Sequence, residues 1–271
     1  MKKKKNRKKI NIININKLNN KKLNNNCINL INVDFDTNNK NIHANDYIKN
    51  CFNLAFKILK SGFTHKLING PIDKSKFLKK KYLGITEYIS KSFDINKFAM
   101  LIYNKDLSVC PITTHLPIKL VSKKINQKLI EEKTKLINNF FVKDVGFTPK
   151  IAVTGLNPHC ESILRINEDE KIIAPTIRKL KKKGYKIYGP FPADTIFLKQ
   201  NRKKYNVIMG MYHDQVLTPI KTLKEYDAIN ITLGLPFYRI SPDHGPNEKM
   251  INKNTSTPLS LINAIKFLDN R

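Results

Sequence analysis

Residues 205–219, YNVIMGMYHDQVLTP, decide how this chain is read. Val207, Ile208 and Met209 form an apolar run that suits a buried strand, and the run ends at once in His213 and Asp214. Two other stretches repeat the pattern: SVCPITTH (108–115) carries His115 past a strand, and KIAVTGLNPHC (150–160) carries His159. Taken singly, a histidine at a strand end has a structural or surface role. Three of them in the same position of three strand-to-loop units can converge on one point, which suits a divalent metal with an open coordination position.

Amphipathic stretches separate these strands. YIKNCFNLAFKILKSG (47–62) places Ile48, Cys51, Phe52, Leu54, Ala55, Ile58 and Leu59 on one helical face, with Gly62 as the stop. HKLING (65–70) reads as a short strand and PIDKSKFL (71–78) as a helix. KFAMLIYNKDLSVCPITTH (97–115) reads as two strands around an NKD turn. PIKLVSKKINQKLIEEKTKLINNFF (117–141) is expected to be one long helix with Pro117 near its start. EDEKIIAPTIRKLKKKG (168–184) has acids in its first turn and lysines in its last, with Pro175 bending the axis or marking the true start. AINITLGLPF (228–237) is a further strand-to-loop transition, and TPLSLINAIKFLDN (257–270) a closing helix capped by Thr257. Strands alternating with helices indicate an α/β fold whose ligands gather at strand ends.

Composition narrows the function. The 271 residues are 41% hydrophobic, enough for one large domain or two closely packed ones. No run approaches the roughly 18 apolar residues of a membrane span, and MKKKKNRKK leads into no apolar signal core, so a cytoplasmic protein is expected. Cys27, Cys51, Cys110 and Cys160 show no C-x-x-C spacing, which argues against a zinc ribbon or a disulfide framework. The net charge of +29 raises nucleic-acid binding. The lysines are nevertheless spread over helix faces and not interleaved with aromatics, so a solvated surface is the better reading, and the charge serves to attract anionic substrates. Residues 1–26 form a lysine- and asparagine-rich start.

The motifs NGPIDKSKF, TTHLP, GLNPHC, GPFPADTIF, MYHDQVLTPIK and INITLGLPFYRISPDHG, taken in order, resemble the 4-hydroxythreonine-4-phosphate dehydrogenase family of vitamin B6 biosynthesis. The resemblance runs from about residue 65 to the end and is densest from Gly155 to Gly245. It implies a fold like isocitrate and isopropylmalate dehydrogenases, a mixed sheet flanked by helices, with residues 27–271 a single catalytic unit of two interleaved α/β subdomains around a cleft, and a homodimer that shares its active sites. It implies oxidation of 4-phosphooxy-threonine by NAD or NADP, followed by loss of carbon dioxide to give 3-amino-2-oxopropyl phosphate. By similarity His115, His159 and His213 are the metal ligands, completed across the dimer interface, with zinc favoured over magnesium or cobalt. Such a metal would lower the pKa of the substrate hydroxyl and polarise the ketone that follows. Thr86, Lys221, Asn230 and Arg239 match substrate-binding positions, lysine and arginine suiting a phosphate and a carboxylate. Lys74 is a candidate for proton transfer or anion binding. Asp214 is a candidate to orient an imidazole from behind. Asp194 and Asp243 either approach the site or cap turns, the turn being the favoured reading, and His244 is read as no primary ligand.

Three features depart from the family pattern. The glycine-rich opening strand has no counterpart in this chain. The substrate-contacting histidine of the G-H-T-E motif is Ile85 here, which keeps open a relative acting on threonate or erythronate phosphate. The run after N-P-H, CESILRINEDE, lacks the family's glycines. A truncated, inactive homologue is the reading from another class. No G-x-G-x-x-G occurs, so NAD dependence follows from the resemblance alone.

Overall fold

The computed structural model describes residues 9–271 apart from 21–22, 25, 36–39, 79–80, 162–166, 247 and 254. The expectations for the lysine-rich residues 1–8 and for the glycine-free stretch at 162–166 therefore lie outside the described residues. The chain divides into two compact units, Met1–His65 and Lys66–Arg271.

In the first unit, β1 (Ile10–Ile12) pairs in parallel with β2 (Ile28–Leu30), Ile10 opposite Ile28. The helix Lys40–Lys60 starts earlier than its apolar periodicity does, and it buries Phe52, Phe56 and Leu59. Gly62 follows it at a φ of 76°, the left-handed conformation that a helix stop needs.

The second unit is built on β3 (Lys66–Ile68), β4 (Ala99–Tyr103), β5 (Ser108–Pro111), β6 (Ile151–Thr154), β7 (Ile187–Phe191), β8 (Val207–Gly210), β9 (Ile229–Leu233) and β10 (Tyr238–Pro242). They form one mixed sheet in the order β3-β10-β9-β4-β5-β8-β6-β7. The pairs β10/β9, β9/β4 and β4/β5 are antiparallel and the remainder parallel. Helices cover both faces, so the central strands lack polar alternation: all four residues of β5, β6 and β8 are buried. Alternate side chains of β4 still go to opposite faces. Leu101 joins Cys110, Val153, Met209 and Ile231 under the helices Gln127–Phe140, Ala174–Lys182 and Leu259–Asp269. Met100 and Ile102 join Val109, Ala152 and Ile208 under the helix His213–Lys224, through Val216, Leu217 and Ile220. Each such side chain withdrawn completely from water contributes about 1.5–3 kcal/mol.

Local chemistry changes several boundaries. The long helix expected over 117–141 is broken: a turn at Ile118–Leu120 and a short helix Val121–Lys124 end at Ile125. A new helix then begins at Gln127 because the Asn126 side chain accepts the Leu129 amide at 2.9 Å, an N-cap inside what reads as continuous periodicity. Pro175 is accommodated by a wider turn, Asp169–Ile173, before the regular helix. The last helix starts at Leu259, whose amide meets the Thr257 hydroxyl at 3.3 Å.

Candidate functional site

The register of β5 and β8 explains why two histidines meet. Pro111 lies opposite Gly210 in this parallel pair, and the pairing continues past both strands: the Ile112 amide donates to the Gly210 carbonyl at 2.7 Å, and the Thr113 hydroxyl to the Met211 carbonyl at 2.7 Å. The two chains therefore leave the sheet side by side and carry His115 and His213 to ring centroids 5.6 Å apart. His213 opens the helix His213–Lys224 and does not sit in a loop. Its Nδ1 lies 2.6 Å from Asp214 Oδ1, which leaves Nε2 free for another partner.

Both imidazoles line a cavity of about 230 Å³ on the Met100/Ile102 face of the sheet. The ends of β3 and β10 bring Asn69, Ser241 and Asp243 to it. Asn230 arrives from the start of antiparallel β9, paired in register with Ser241 on one side and Ile102 on the other. The expected gathering at carboxyl ends of strands thus holds for the histidines but not for Asn230. Thr86 and Ile85 enter from the first turn of the helix Ile85–Ser92, and Lys74 from the helix Lys74–Leu78. Lys74, Thr86, His115, His213, Lys221, Asn230 and Arg239 therefore line one cavity. Asp214 is exposed and reaches it only through His213.

Arg239 is the most deeply set cation, 2% exposed. Its Nε donates to Asn69 Oδ1 at 2.8 Å and its Nη1 to the hydroxyls of Thr232 at 3.1 Å and Thr86 at 3.5 Å. Burial pulls the guanidinium down to about 10, and the charge of Glu87 offsets only part of this. The wall is thus positively charged and short of an anion. Lys221 donates from Nζ to the carbonyl of Asp243 at 2.7 Å and to its Oδ2 at 3.0 Å. Burial raises the Asp243 carboxyl above the ordinary range, against the opposing pull of Lys221, His213 and His244. Asn230 Oδ1 is buried with no hydrogen-bond partner among the described residues. An orphaned acceptor of this kind costs about 1–3 kcal/mol, and a donor on a bound ligand would relieve it.

His159 stands elsewhere. It belongs to the turn Pro158–Cys160 after β6, at a φ of 57°, exposed and not lining the cavity. The turn is fixed from below by Asp169, whose carboxylate accepts the amides of Leu156 at 2.7 Å and Asn157 at 3.0 Å and the Asn157 side chain at 2.8 Å. Among the described residues no group of three or more His, Cys, Asp or Glu is gathered as a metal requires. Two imidazoles fit a divalent cation in part, since both line the cavity and Asp214 holds His213 Nδ1, leaving that ring's Nε2 for a ligand.

Sequence reasoning missed Asn69, the Arg239 anchor, and Glu87, the carboxylate behind His115. Of the two readings left open for Asp243, site or turn, the structure favours the site, with a buried carboxylate on Lys221. NGP and TEY offered no local signal for the first two. Their roles come from long-range pairing across the sheet.

Residues 1–268 match the model of a family described as pyridoxal phosphate biosynthetic protein PdxA. A 4-hydroxythreonine-4-phosphate dehydrogenase of Sulfurihydrogenibium sp. is 41% identical over 206 residues, 74% of this chain and 63% of the relative. A D-threonate 4-phosphate dehydrogenase of Pectobacterium atrosepticum is 36% identical over 206 residues, again 74% of this chain and 63% of the relative. The chain thus spans less than two thirds of the length of these relatives. A crystal structure of 4-hydroxythreonine-4-phosphate dehydrogenase from Klebsiella pneumoniae superposes with a TM-score of 0.78 at 29% identity, covering 97% of this chain and 83% of that one. The mixed sheet flanked by helices is accordingly the isocitrate dehydrogenase-like fold.

Proposed function

Because the chain belongs to the family of the pyridoxal phosphate biosynthetic protein PdxA, we propose that it oxidises 4-phosphooxy-L-threonine with NAD or NADP and decarboxylates the product to 3-amino-2-oxopropyl phosphate. The observation that carries this reading is the single cavity in which three cationic side chains, Lys74, Lys221 and Arg239, face a pair of imidazoles 5.6 Å apart. Arg239 and Lys221 hold the phosphate and carboxylate, the first through a planar fork and the second as a point charge. The orphaned Asn230 Oδ1 accepts from the hydroxyl or ammonium of the substrate. The apolar wall of Ile72, Ile85, Met100, Ile102 and Leu217 packs the carbon skeleton and excludes water.

In the reaction the hydroxyl proton passes to a base, hydride passes from the carbinol carbon to the nicotinamide, and the resulting β-keto acid loses carbon dioxide, the carbon left behind taking up a proton. His115 and His213 would hold a zinc, magnesium or cobalt ion, which would supply Lewis acidity to the substrate oxygen. Lys74 lies at the same cavity and takes part in proton transfer or holds an anionic group. His159 outside the cavity fits a homodimer in which a second copy completes the ligand set, and the reaction is assigned to the cytoplasm.

A second substrate is favoured by one observation. Ile85, 6% exposed, forms part of the cavity wall where the family pattern has a histidine. It cannot hydrogen bond, and one relative is named for D-threonate 4-phosphate. The test is turnover by the purified chain with NAD or NADP and each divalent metal on the threonine, threonate and erythronate phosphates, read as reduced nicotinamide. Reduction with the threonine phosphate supports the first reading. Reduction with another substrate alone replaces it, and none with any of them leaves the inactive homologue.

A further inference from the structure

We propose that Glu87 is the positioning residue of His115: its carboxylate accepts a hydrogen bond from Nδ1–H of the imidazole and so presents the Nε2 lone pair to the cavity. The inference deepens the reading above and rests on His115 being a site residue.

Three observations converge on it. Glu87 Oε1 stands 3.6 Å from His115 Nδ1, and the Thr114 hydroxyl pins that oxygen at 2.8 Å. Glu87 Oε2 and His115 Nδ1 are both buried, and neither has a hydrogen-bond partner among the described residues. An unsatisfied buried polar atom is costly, and one small rotation of either side chain would relieve both by bringing the ring nitrogen onto the carboxylate. The third observation is Gly84. A Cβ there would fall 2.6 Å from Glu87 Oε2 and 2.8 Å from His115 Nδ1, so the two groups approach each other over a residue that has no side chain to obstruct them. The backbone of Gly84 is extended, with a φ of −164°, so the demand is for space and not for a special conformation.

The chemistry of imidazole supplies the rest. A neutral ring carries one hydrogen, and a carboxylate at Nδ1 keeps it there, leaving Nε2 as an acceptor or a metal ligand. His213 shows the same arrangement with Asp214 at 2.6 Å. The helix Ile85–Ser92 therefore serves the site twice, Thr86 lining the cavity and Glu87 supporting the ring behind it.

The test reads the tautomer of His115 directly. Long-range proton–nitrogen spectra of the isotope-labelled full chain, with no metal, cofactor or substrate added, are assigned with His115→Gln. The unmutated chain is expected to carry the His115 hydrogen on Nδ1. Glu87→Gln keeps an acceptor and retains that tautomer, whereas Glu87→Ala shifts it toward Nε2. Titration with cobalt(II) alone is expected to weaken by roughly 10- to 100-fold in Glu87→Ala and by less in Glu87→Gln. A hydrogen on Nε2 in the unmutated chain overturns the proposal with no variant needed, as does a tautomer and cobalt affinity unchanged by Glu87→Ala. Because the spectra need no turnover, an Nδ1 tautomer in a protein that oxidises none of the substrates would sink the dehydrogenase reading and leave Glu87 in place.

Discussion

Replacing Arg239 with methionine removes the cation on which the anionic end of a substrate would rest. The guanidinium has five N–H donors. Three are directed at Asn69, Thr232 and Thr86, the last weakly at 3.5 Å, and Nη2 has no partner among the described residues. Two donors therefore remain for a ligand. Charge-assisted hydrogen bonds contribute about 1.5–3 kcal/mol each and do not add fully, so about 2–4 kcal/mol of binding is at stake. That corresponds to a loss of roughly 30- to 1,000-fold in Kd. The fold should tolerate the change. Removing a buried charge relieves a desolvation cost of several kcal/mol, offset by the bonds lost to Thr232 and Thr86 and by about 1–3 kcal/mol for leaving Asn69 Oδ1 without its donor. Calorimetric titration with the phosphorylated substrate and with inorganic phosphate, beside a thermal melt, measures both quantities. Binding within threefold of the unmutated chain would refute the assignment of Arg239. Should Arg239→Met melt early, Arg239→Lys, which keeps the charge and loses the fork, is expected to bind about tenfold more weakly.

Gly84→Ala is expected to displace the Glu87 and His115 side chains, because its new methyl group would lie 2.6–2.8 Å from their atoms. The cost to stability is about 1–3 kcal/mol in a denaturant melt, with a larger loss of turnover than the melt explains. Cys110 is wholly buried, and burial pushes its thiol up to about 12. It should stay unmodified by alkylating reagents in the native protein at neutral pH and react once the chain unfolds, while the partly exposed Cys27, Cys51 and Cys160 react first. Glu131 bridges two helices, taking the Gln127 amide at 2.8 Å and the Lys179 ammonium at 2.9 Å, which together hold its carboxyl at about 2. A depressed carboxyl contributes stability that is present above its unfolded value near 4.5 and lost as pH falls towards 2. Screening at the surface limits this to under about 1 kcal/mol, so the stability of Glu131→Gln should converge with that of the unmutated chain across that window in acid titrations of the melt.

The histidine-bearing strands were legible because each is a short run of buried apolar residues ending in a polar pair. Their meeting was not, since the 5.6 Å approach of His115 and His213 depends on the register of Pro111 against Gly210, a long-range property. The same limit hides Glu87, which reads as one acid in a polar TEY until the fold sets it behind a ring 28 residues away. Strand β10 carried a motif without being read as a strand, because its YRISP contains an arginine and a proline, both uncommon in buried strands; Arg239 is tolerated by bonding to Asn69 and the two threonines. The helix from His213 was obscured by Pro219, and the break before Gln127 by periodicity that continues through a capping asparagine. Placing His159 outside the cavity required the Asp169 clamp, 10 residues further along and formed by backbone amides that no side-chain pattern reveals.

Transfer of a labelled hydrogen tests the central claim most directly. With deuterium on the carbinol carbon of 4-phosphooxy-L-threonine, the purified chain supplied with NAD or NADP and a divalent metal is expected to deliver the label to the reduced nicotinamide, with one carbon dioxide released for each hydride. Both signals should fall together in His213→Gln. Absence of label in the nicotinamide from the unmutated chain, under conditions where the substrate is bound, would contradict the account.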